Sequence, residues 1–316
     1  MRTITYRVQR FDGQSSYVQE YNFPYEASKT ILWGLTKVKE TLDPTLTFVA
    51  ACRVGDCGAC AIRVNNQAVL ACETSLDEMI DRFGPILSIA PLKNFVVIRD
   101  LVVNWEEKLE RLKAVKPWMI PRDKFASHTG CRQTPEDFKK IVLQASCILC
   151  GSCASECNKL SVDDSDFYEP YVYTKAYKFV ADSRDKGELE RLQASLANGL
   201  WSCVHCQECV TTCPKGIEPV EDISKMRQIS IRAGQQDNTG ARHARAFYKD
   251  LTDTGRLNEV KMAVRTDGML KSAAKLPFAL RLMRRGKLNP FHHSVPVKGI
   301  EHIREIIKAV KEAEKQ

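Results

Sequence analysis

No stretch of this 316-residue chain approaches the ~20 consecutive apolar positions that a membrane-spanning helix needs. The opening Met1-Arg-Thr-Ile-Thr-Tyr-Arg-Val has no apolar export core, so a signal peptide is not expected. No Gly-x-Gly-x-x-Gly run is present, so no dinucleotide-binding turn of that kind is expected here. No Ser/His/Asp set or paired carboxylates stand out for nucleophilic or acid–base chemistry. Histidine is scarce, at 6 residues, but cysteine is not, at 13. An odd number of cysteines in tight groups argues against a disulfide framework. Zinc also uses C-x2-C pairs, so the spacing has to decide.

The densest group is Cys203-Val-His-Cys206-Gln-Glu-Cys209-Val-Thr-Thr-Cys213-Pro214. This is the C-x2-C-x2-C-x3-C-P run of bacterial ferredoxins. Three thiolates two residues apart suit a tight turn around three corners of a cubane. The fourth cysteine starts a helix that points away and reaches a different cluster. Such a run needs a partner, and Cys147-Ile-Leu-Cys150-Gly-Ser-Cys153-Ala-Ser-Glu-Cys157 repeats the spacing, with Asn158 in place of Pro. A third group is Cys52-Arg-Val-Gly-Asp-Cys57-Gly-Ala-Cys60, followed by Cys72. It has the plant-type C-x4-C-x2-C…C spacing of a [2Fe–2S] cluster. Gly55 and Gly58 would let backbone amides close in on the sulfides. Two complete runs and a third set favour iron–sulfur over zinc. Cys131 belongs to no motif and reads as structural. His205, inside the last loop, reads as a packed loop residue or as one that tunes a cluster.

The expected fold is α+β. An N-terminal β-grasp domain over 1–100 would hold the [2Fe–2S] loop. An all-α two-cluster domain over 101–233 and a basic helical extension over 234–316 would follow. In the first part, Thr3–Val8 and Tyr17–Tyr21 read as a hairpin around Asp12-Gly13. Ser28 would cap a helix with apolar positions Ile31, Leu32, Leu35, Val38 and Leu42. Ala61–Val64 and Ala68–Ala71 form a second hairpin around Asn65-Asn66, with further strands at Ile86–Ala90 and Phe95–Ile98. A helix is expected over Asp100–Val115, with Leu101, Trp105, Leu109 and Leu112 on one face, ended by Pro117 and Pro121. Thr134-Pro135 starts another helix. Further helices are expected at Asp166–Ala181 and Asp185–Leu196, ended by Asn198-Gly199, and from Pro219 to about Ala233. The extension offers helices at Arg242–Thr254, Leu270–Arg285 and Ile300–Glu314.

The net charge of +8 is uneven. Residues 222–316 hold 20 Lys and Arg against 10 Asp and Glu, whereas residues 1–221 hold 27 against 29. A basic extension suits an acidic partner, an anionic membrane surface or nucleic acid, or is simply a solvated face. No groove-reading motif supports nucleic acid. The apolar-then-basic Leu276-Pro-Phe-Ala-Leu-Arg-Leu-Met-Arg-Arg suits packing onto a subunit better than lying on a membrane.

This order of elements resembles the iron–sulfur subunit of succinate dehydrogenase and fumarate reductase. The likeness rests on the cysteine groups, on Pro91-Leu-Lys-Asn-Phe-Val-Val-Ile-Arg-Asp-Leu-Val-Val between the domains, on Pro135-Glu-Asp-Phe before Cys147, and on Cys213-Pro-Lys-Gly-Ile-Glu-Pro. It covers about residues 1–233. It implies an electron wire between a flavoprotein subunit, which carries FAD and interconverts succinate and fumarate, and a quinone-linked anchor. Cys52, Cys57, Cys60 and Cys72 would hold the [2Fe–2S] cluster. Cys147, Cys150, Cys153 and Cys213 would hold the central [4Fe–4S]. Cys157, Cys203 and Cys209 match the ligands of the family's usual distal [3Fe–4S].

Two departures narrow the resemblance. Cys206 supplies a fourth distal thiolate, which turns the expectation to a second [4Fe–4S] at lower potential. After Cys157 the chain reads Asn158-Lys-Leu-Ser-Val-Asp, without the usual Pro and the Trp pair of the quinone pocket. The extension, through Gly255-Arg-Leu-Asn-Glu, Leu276-Pro-Phe-Ala-Leu-Arg-Leu and Pro296-Val-Lys-Gly-Ile-Glu, looks like the two-cluster subunit of heterodisulfide reductases. That subunit docks a cysteine-rich CCG-type partner. Together these features suit the divergent group, including methylmenaquinol-linked members, whose anchor is a hydrophilic CCG-type subunit. The alternative is a thiol-linked fumarate reductase or heterodisulfide-reductase-like complex. The expected location is the cytoplasmic face of the cell membrane, or the periplasmic face by co-export with a partner.

Overall fold

The computed structural model describes residues 3–123, 130–163, 166–289 and 295–313. Alternation sets the first strand, β1 (Thr3–Phe11): Ile4, Tyr6 and Val8 are buried while Arg7 and Gln9 face out. It pairs antiparallel with β2 (Ser16–Pro24). Helix α1 (Ile31–Thr41) follows. Its cap is Thr30, not the expected Ser28: the Thr30 side chain accepts from the Trp33 N–H at 3.3 Å. Ser28 sits at φ +59°, outside the extended range a cap adopts, and gives its N–H to Asp77. Ile31, Leu32, Leu35 and Val38 are buried as expected, but Leu42 ends the helix and is 49% exposed. Gly34 lets α1 lie on the sheet, because a Cβ there would stand 2.3 Å from the Tyr6 hydroxyl.

The hairpin of β3 (Ala61–Val64) and β4 (Gln67–Leu70) turns through Asn65 and Asn66, both at positive φ. Helix α2 (Leu76–Phe83) was not anticipated, although Ser75 and Glu78 spell a capping box and the Ser75 hydroxyl accepts from the Glu78 N–H. Strand β5 (Ile86–Ala90) lies between β1 and β3, parallel to the first and antiparallel to the second. The sheet order is β2-β1-β5-β3-β4, and α1 and the sheet share one core.

The helix expected from Asp100 starts later. A ribbon of β6 (Val97–Arg99) and β7 (Val102–Val103) comes first, and α3 is Glu106–Ala114. Asp100 is buried at φ +46° and accepts from Arg10 Nε at 2.7 Å, from the Phe11 N–H and from the Thr47 N–H. That tertiary duty overrides its place in an amphipathic pattern.

The helical part holds α4 (Pro135–Lys139), α5 (Val142–Ala145), α6 (Ser152–Ser155), α7 (Asn158–Val162), α8 (Pro170–Val180), α9 (Glu188–Ala197), α10 (Glu208–Thr211) and α11 (Pro219–Arg232). Thr134 caps α4 as expected. Helix α8 is its centre and is almost wholly buried. Arg191 of α9 is fully buried and forks onto Asp185 at 2.5 and 3.1 Å while donating to the Lys116 and Trp118 carbonyls.

The chain forms two compact units, Met1–Met226 and Arg227–Gln316. The second holds α12 (Thr239–Thr254), α13 (Glu259–Ala274), α14 (Leu276–Arg284) and α15 (Ile300–Ala313). The single helix expected over 270–285 is split at Lys275, and α13, kinked at Gly268, was not anticipated. Asp250 ties α12 to α13 by accepting from the Asn258 N–H and Arg265 Nη1. The helix expected over 300–314 is α15, with residue 314 outside the described residues. Among the described residues no helix is long and apolar enough to cross a membrane.

Candidate iron–sulfur sites

Residues 52–60 form a loop ahead of β3, and Cys72 follows β4. Backbone amides converge on its sulfurs. Asp56 and Cys57 N–H point at Cys52 Sγ at 3.3 and 3.2 Å, and Gly55 N–H points at Cys72 Sγ at 3.1 Å. The amides of Val54, Cys57 and Asp56 pull the Cys52 thiol down to about 6. Burial pushes Cys60 up to about 12. Cys57 stays exposed, so the loop has a solvent-facing lip and a buried floor at Cys60 and Cys72.

The two later runs repeat one backbone shape. Leu149 and Gly151 have positive φ in the first, and His205 and Gln207 have it in the second, at equivalent positions. Each turn then enters a four-residue helix, α6 or α10. Non-glycine residues in the left-handed region are uncommon. Their recurrence at matched places shows that the spacing imposes the turn. Sequence reasoning found the spacing but not this strain, since only Gly151 advertises it.

The turns gather the thiols into two sets. Cys147, Cys150, Cys153 and Cys213 line one pocket, with Ile217 and Tyr171 beside them. Cys213 Sγ accepts from the Ile217 N–H at 3.3 Å. Burial raises the Cys147, Cys150 and Cys153 thiols above their ordinary value. In the other set burial pushes Cys209 up to about 12, and Cys203, Cys157 and Cys206 lie near enough to add to it. Burial likewise raises Cys157, with contributions from Cys206 and Cys203. Cys206 is exposed, while Cys157 and Cys209 are buried. Among the described residues no three His, Cys, Asp or Glu side chains converge on a point suited to a single metal ion. The first set surrounds a pocket, and four thiolates around a space are what a cubane with one cysteine on each iron requires. Cys131 is half-buried and takes part in none of these sets.

The first loop abuts the central set. A Cβ on Gly58 would stand 2.9 Å from Cys150 Cα and 3.1 Å from the Ile148 carbonyl oxygen. Gly58 thus serves contact between two cysteine loops as well as its own turn. In the central run, a Cβ on Gly151 would meet Trp105 at 2.8 Å and Phe95 at 3.0 Å. Asn94 was not foreseen. Its Nδ2 donates to the carbonyls of Ala154, Ser155 and Cys157 at 2.8, 3.1 and 3.2 Å, pinning the end of the first run. Its φ of +64°, a conformation Asn tolerates, is the one hint the residue type gives.

Residues 5–110 match the family described as a 2Fe-2S iron-sulfur cluster binding domain, and residues 144–217 match the 4Fe-4S dicluster domain. The chain is 43% identical to the 8-methylmenaquinol:fumarate reductase iron-sulfur subunit of Wolinella succinogenes, over 98% of this chain and 99% of that one. The chain belongs to the iron–sulfur subunits of fumarate reductase and succinate dehydrogenase. The fumarate reductase iron-sulfur subunit of Mycobacterium tuberculosis is 36% identical over 66% of this chain and 84% of its own length. A chain of the Mycobacterium smegmatis Sdh1 complex shares the fold at a TM-score of 0.66 and 22% identity, covering 73% of this chain and 96% of that one. As a member of this family the chain is an electron-transfer subunit of an oxidoreductase complex. Its matched domains are those of [2Fe–2S] and [4Fe–4S] clusters, and its cysteines suffice for a third cluster.

Proposed function

We propose that the chain relays single electrons through three clusters in line, between a flavoprotein that carries FAD and handles succinate or fumarate and a quinone-linked anchor subunit. The observation that carries this reading is the abutment of the cysteine loops: Gly58 of the first touches Cys150 of the next, within one compact unit. Cys52, Cys57, Cys60 and Cys72 would hold the [2Fe–2S] cluster. Cys147, Cys150, Cys153 and Cys213 would hold the central [4Fe–4S]. Cys157, Cys203, Cys206 and Cys209 would hold a second [4Fe–4S]. The electrostatic effect of Cys206 on Cys157 and Cys209 supports its place in that set.

In this reading residues 1–100 and 101–233 are the two cluster domains, and 234–316 is a docking extension. The extension and the missing quinone-pocket aromatics support a CCG-type anchor. The Wolinella relative, matched over nearly its full length, is named for methylmenaquinol. The location proposed is the cytoplasmic face of the membrane, held there through partners. The chain's own part is to keep thiolates in place, exclude water from the buried sets and shorten the gaps between clusters. The test is to add succinate to the purified, oxidised complex. Reduced-cluster EPR signals that appear through the flavin support the relay. Flavin reduction with every cluster left oxidised refutes it.

A further inference from the structure

Tyr171 sits in the first turn of α8, just after Pro170, and is 2% exposed. Its hydroxyl is buried and has no hydrogen-bond partner among the described residues. A buried hydroxyl left unpaired costs about 1–3 kcal/mol, so a native chain rarely tolerates one without reason. The residue lines the same pocket as Cys147, Cys150, Cys153 and Cys213. Thr174, the other hydroxyl lining this pocket from α8, is already committed, donating to Asp222 at 2.9 Å. The ring of Tyr171 is steadied by Trp105, at 6.3 Å between centroids, and Trp105 packs in turn on Phe95 at 4.9 Å. The pocket wall therefore carries four thiols and a tyrosine whose O–H donor is uncommitted among the described residues.

We infer that Tyr171 donates a hydrogen bond from its hydroxyl to a sulfur of the central cluster and thereby sets that cluster's potential. The inference rests on the proposed assignment of the four thiols to a [4Fe–4S]. Sulfur on a reduced cluster carries more negative charge than on an oxidised one. A donor therefore stabilises the reduced state more, and the potential rises. Burial, together with the nearby Glu169 and Cys153, holds Tyr171 far above the ordinary phenol range, so it remains a donor.

The experiment is an EPR-monitored redox titration of the whole complex with Tyr171→Phe, which keeps the ring and removes only the O–H. The expected result is about a tenfold fall in the reduced-to-oxidised ratio of the central cluster at a fixed applied potential. That is a shift of about 59 mV for one electron, with the other two clusters unmoved. Pulsed EPR of the reduced complexes in H2O and D2O adds a second arm: besides the Ile217 amide on Cys213 Sγ, the wild type is expected to show an exchangeable proton coupled to the central cluster that Tyr171→Phe lacks. An unchanged central potential with all clusters present overturns the inference. It would hand the hydroxyl to Glu169, whose Oε2 is also buried without a partner among the described residues. An equal shift of all three clusters, or the same exchangeable-proton couplings in wild type and Tyr171→Phe, overturns it too. Absence of any central [4Fe–4S] signal in the wild-type complex would instead refute the ligand assignment beneath it.

Discussion

In the Met1–Met226 unit, buried arginines and lysines are matched with carboxylates. Arg191 forks onto Asp185, Arg10 gives Nε to Asp100 and Nη1 to Asp43, and Glu169 Oε1 pairs with both Lys108 and Arg111. In the Arg227–Gln316 unit the apolar residues are the ones left out. No residue of α14 is buried, Leu276 and Phe278 are 55% and 60% exposed, and Ile306 and Val310 of α15 are 64% and 53% exposed. The first unit pairs its buried cations within itself. The second leaves apolar side chains exposed, as docking surfaces do, and we propose it as a docking element.

The sharpest way to break this comparison is to unpair a buried charge in the first unit. Asp185→Ala strands the Arg191 guanidinium and frees the Ile120 and Gly187 amides it holds. The expected cost is about 3–5 kcal/mol, read as a lower denaturation midpoint with release of iron. A loss under about 1 kcal/mol would show that this unit is no more tightly determined than the extension.

A pH series probes the same unit. Burial pushes Asp222 up to about 7, with Glu218 adding to the shift and Lys225, Thr174 and Gln144 opposing it; the Tyr177 phenol also faces this carboxyl. Between about pH 4 and 7 the unfolded chain releases this proton while the folded chain keeps it. The group's contribution therefore falls as pH rises through that window. Asp222→Asn should gain stability over the wild type across the same window, by up to about 1.4 kcal/mol per pH unit. A difference that is flat with pH contradicts it.

The smallest stability effect belongs to the extension. Leu276→Ser with Phe278→Ser should change the chain's own stability by less than about 0.5 kcal/mol, as exposed substitutions do. The pair should nevertheless weaken retention of the anchor subunit on purification. Full retention would deny α14 a docking role.

What could be read from the sequence follows the same divide. Cysteine spacing is a covalent constraint on a turn, so it needed no tertiary knowledge, and Gly55 carried its own physical reason. Hairpins with paired turn residues, such as Asn65-Asn66, were equally legible. Asp100 was not, because its burial depends on Arg10 and Thr47, which are far away in sequence. Nor was the cap at Thr30, where two hydroxyl residues compete and backbone conformation decides. The part given to Tyr171 was not legible either, since an aromatic-rich helix gives no sign of which hydroxyl lacks a partner. In the extension, periodicity located α12 and α15 but could not show the break at Lys275 or supply α13.

The central claim is that both ferredoxin-type turns wrap cubanes, the second through Cys206. EPR of the air-oxidised, undamaged complex with iron counting tests it most directly. The account predicts no three-iron signal and about 10 iron atoms per chain, the total of one [2Fe–2S] and two [4Fe–4S] clusters. A strong oxidised [3Fe–4S] signal with about 9 iron atoms per chain would contradict it.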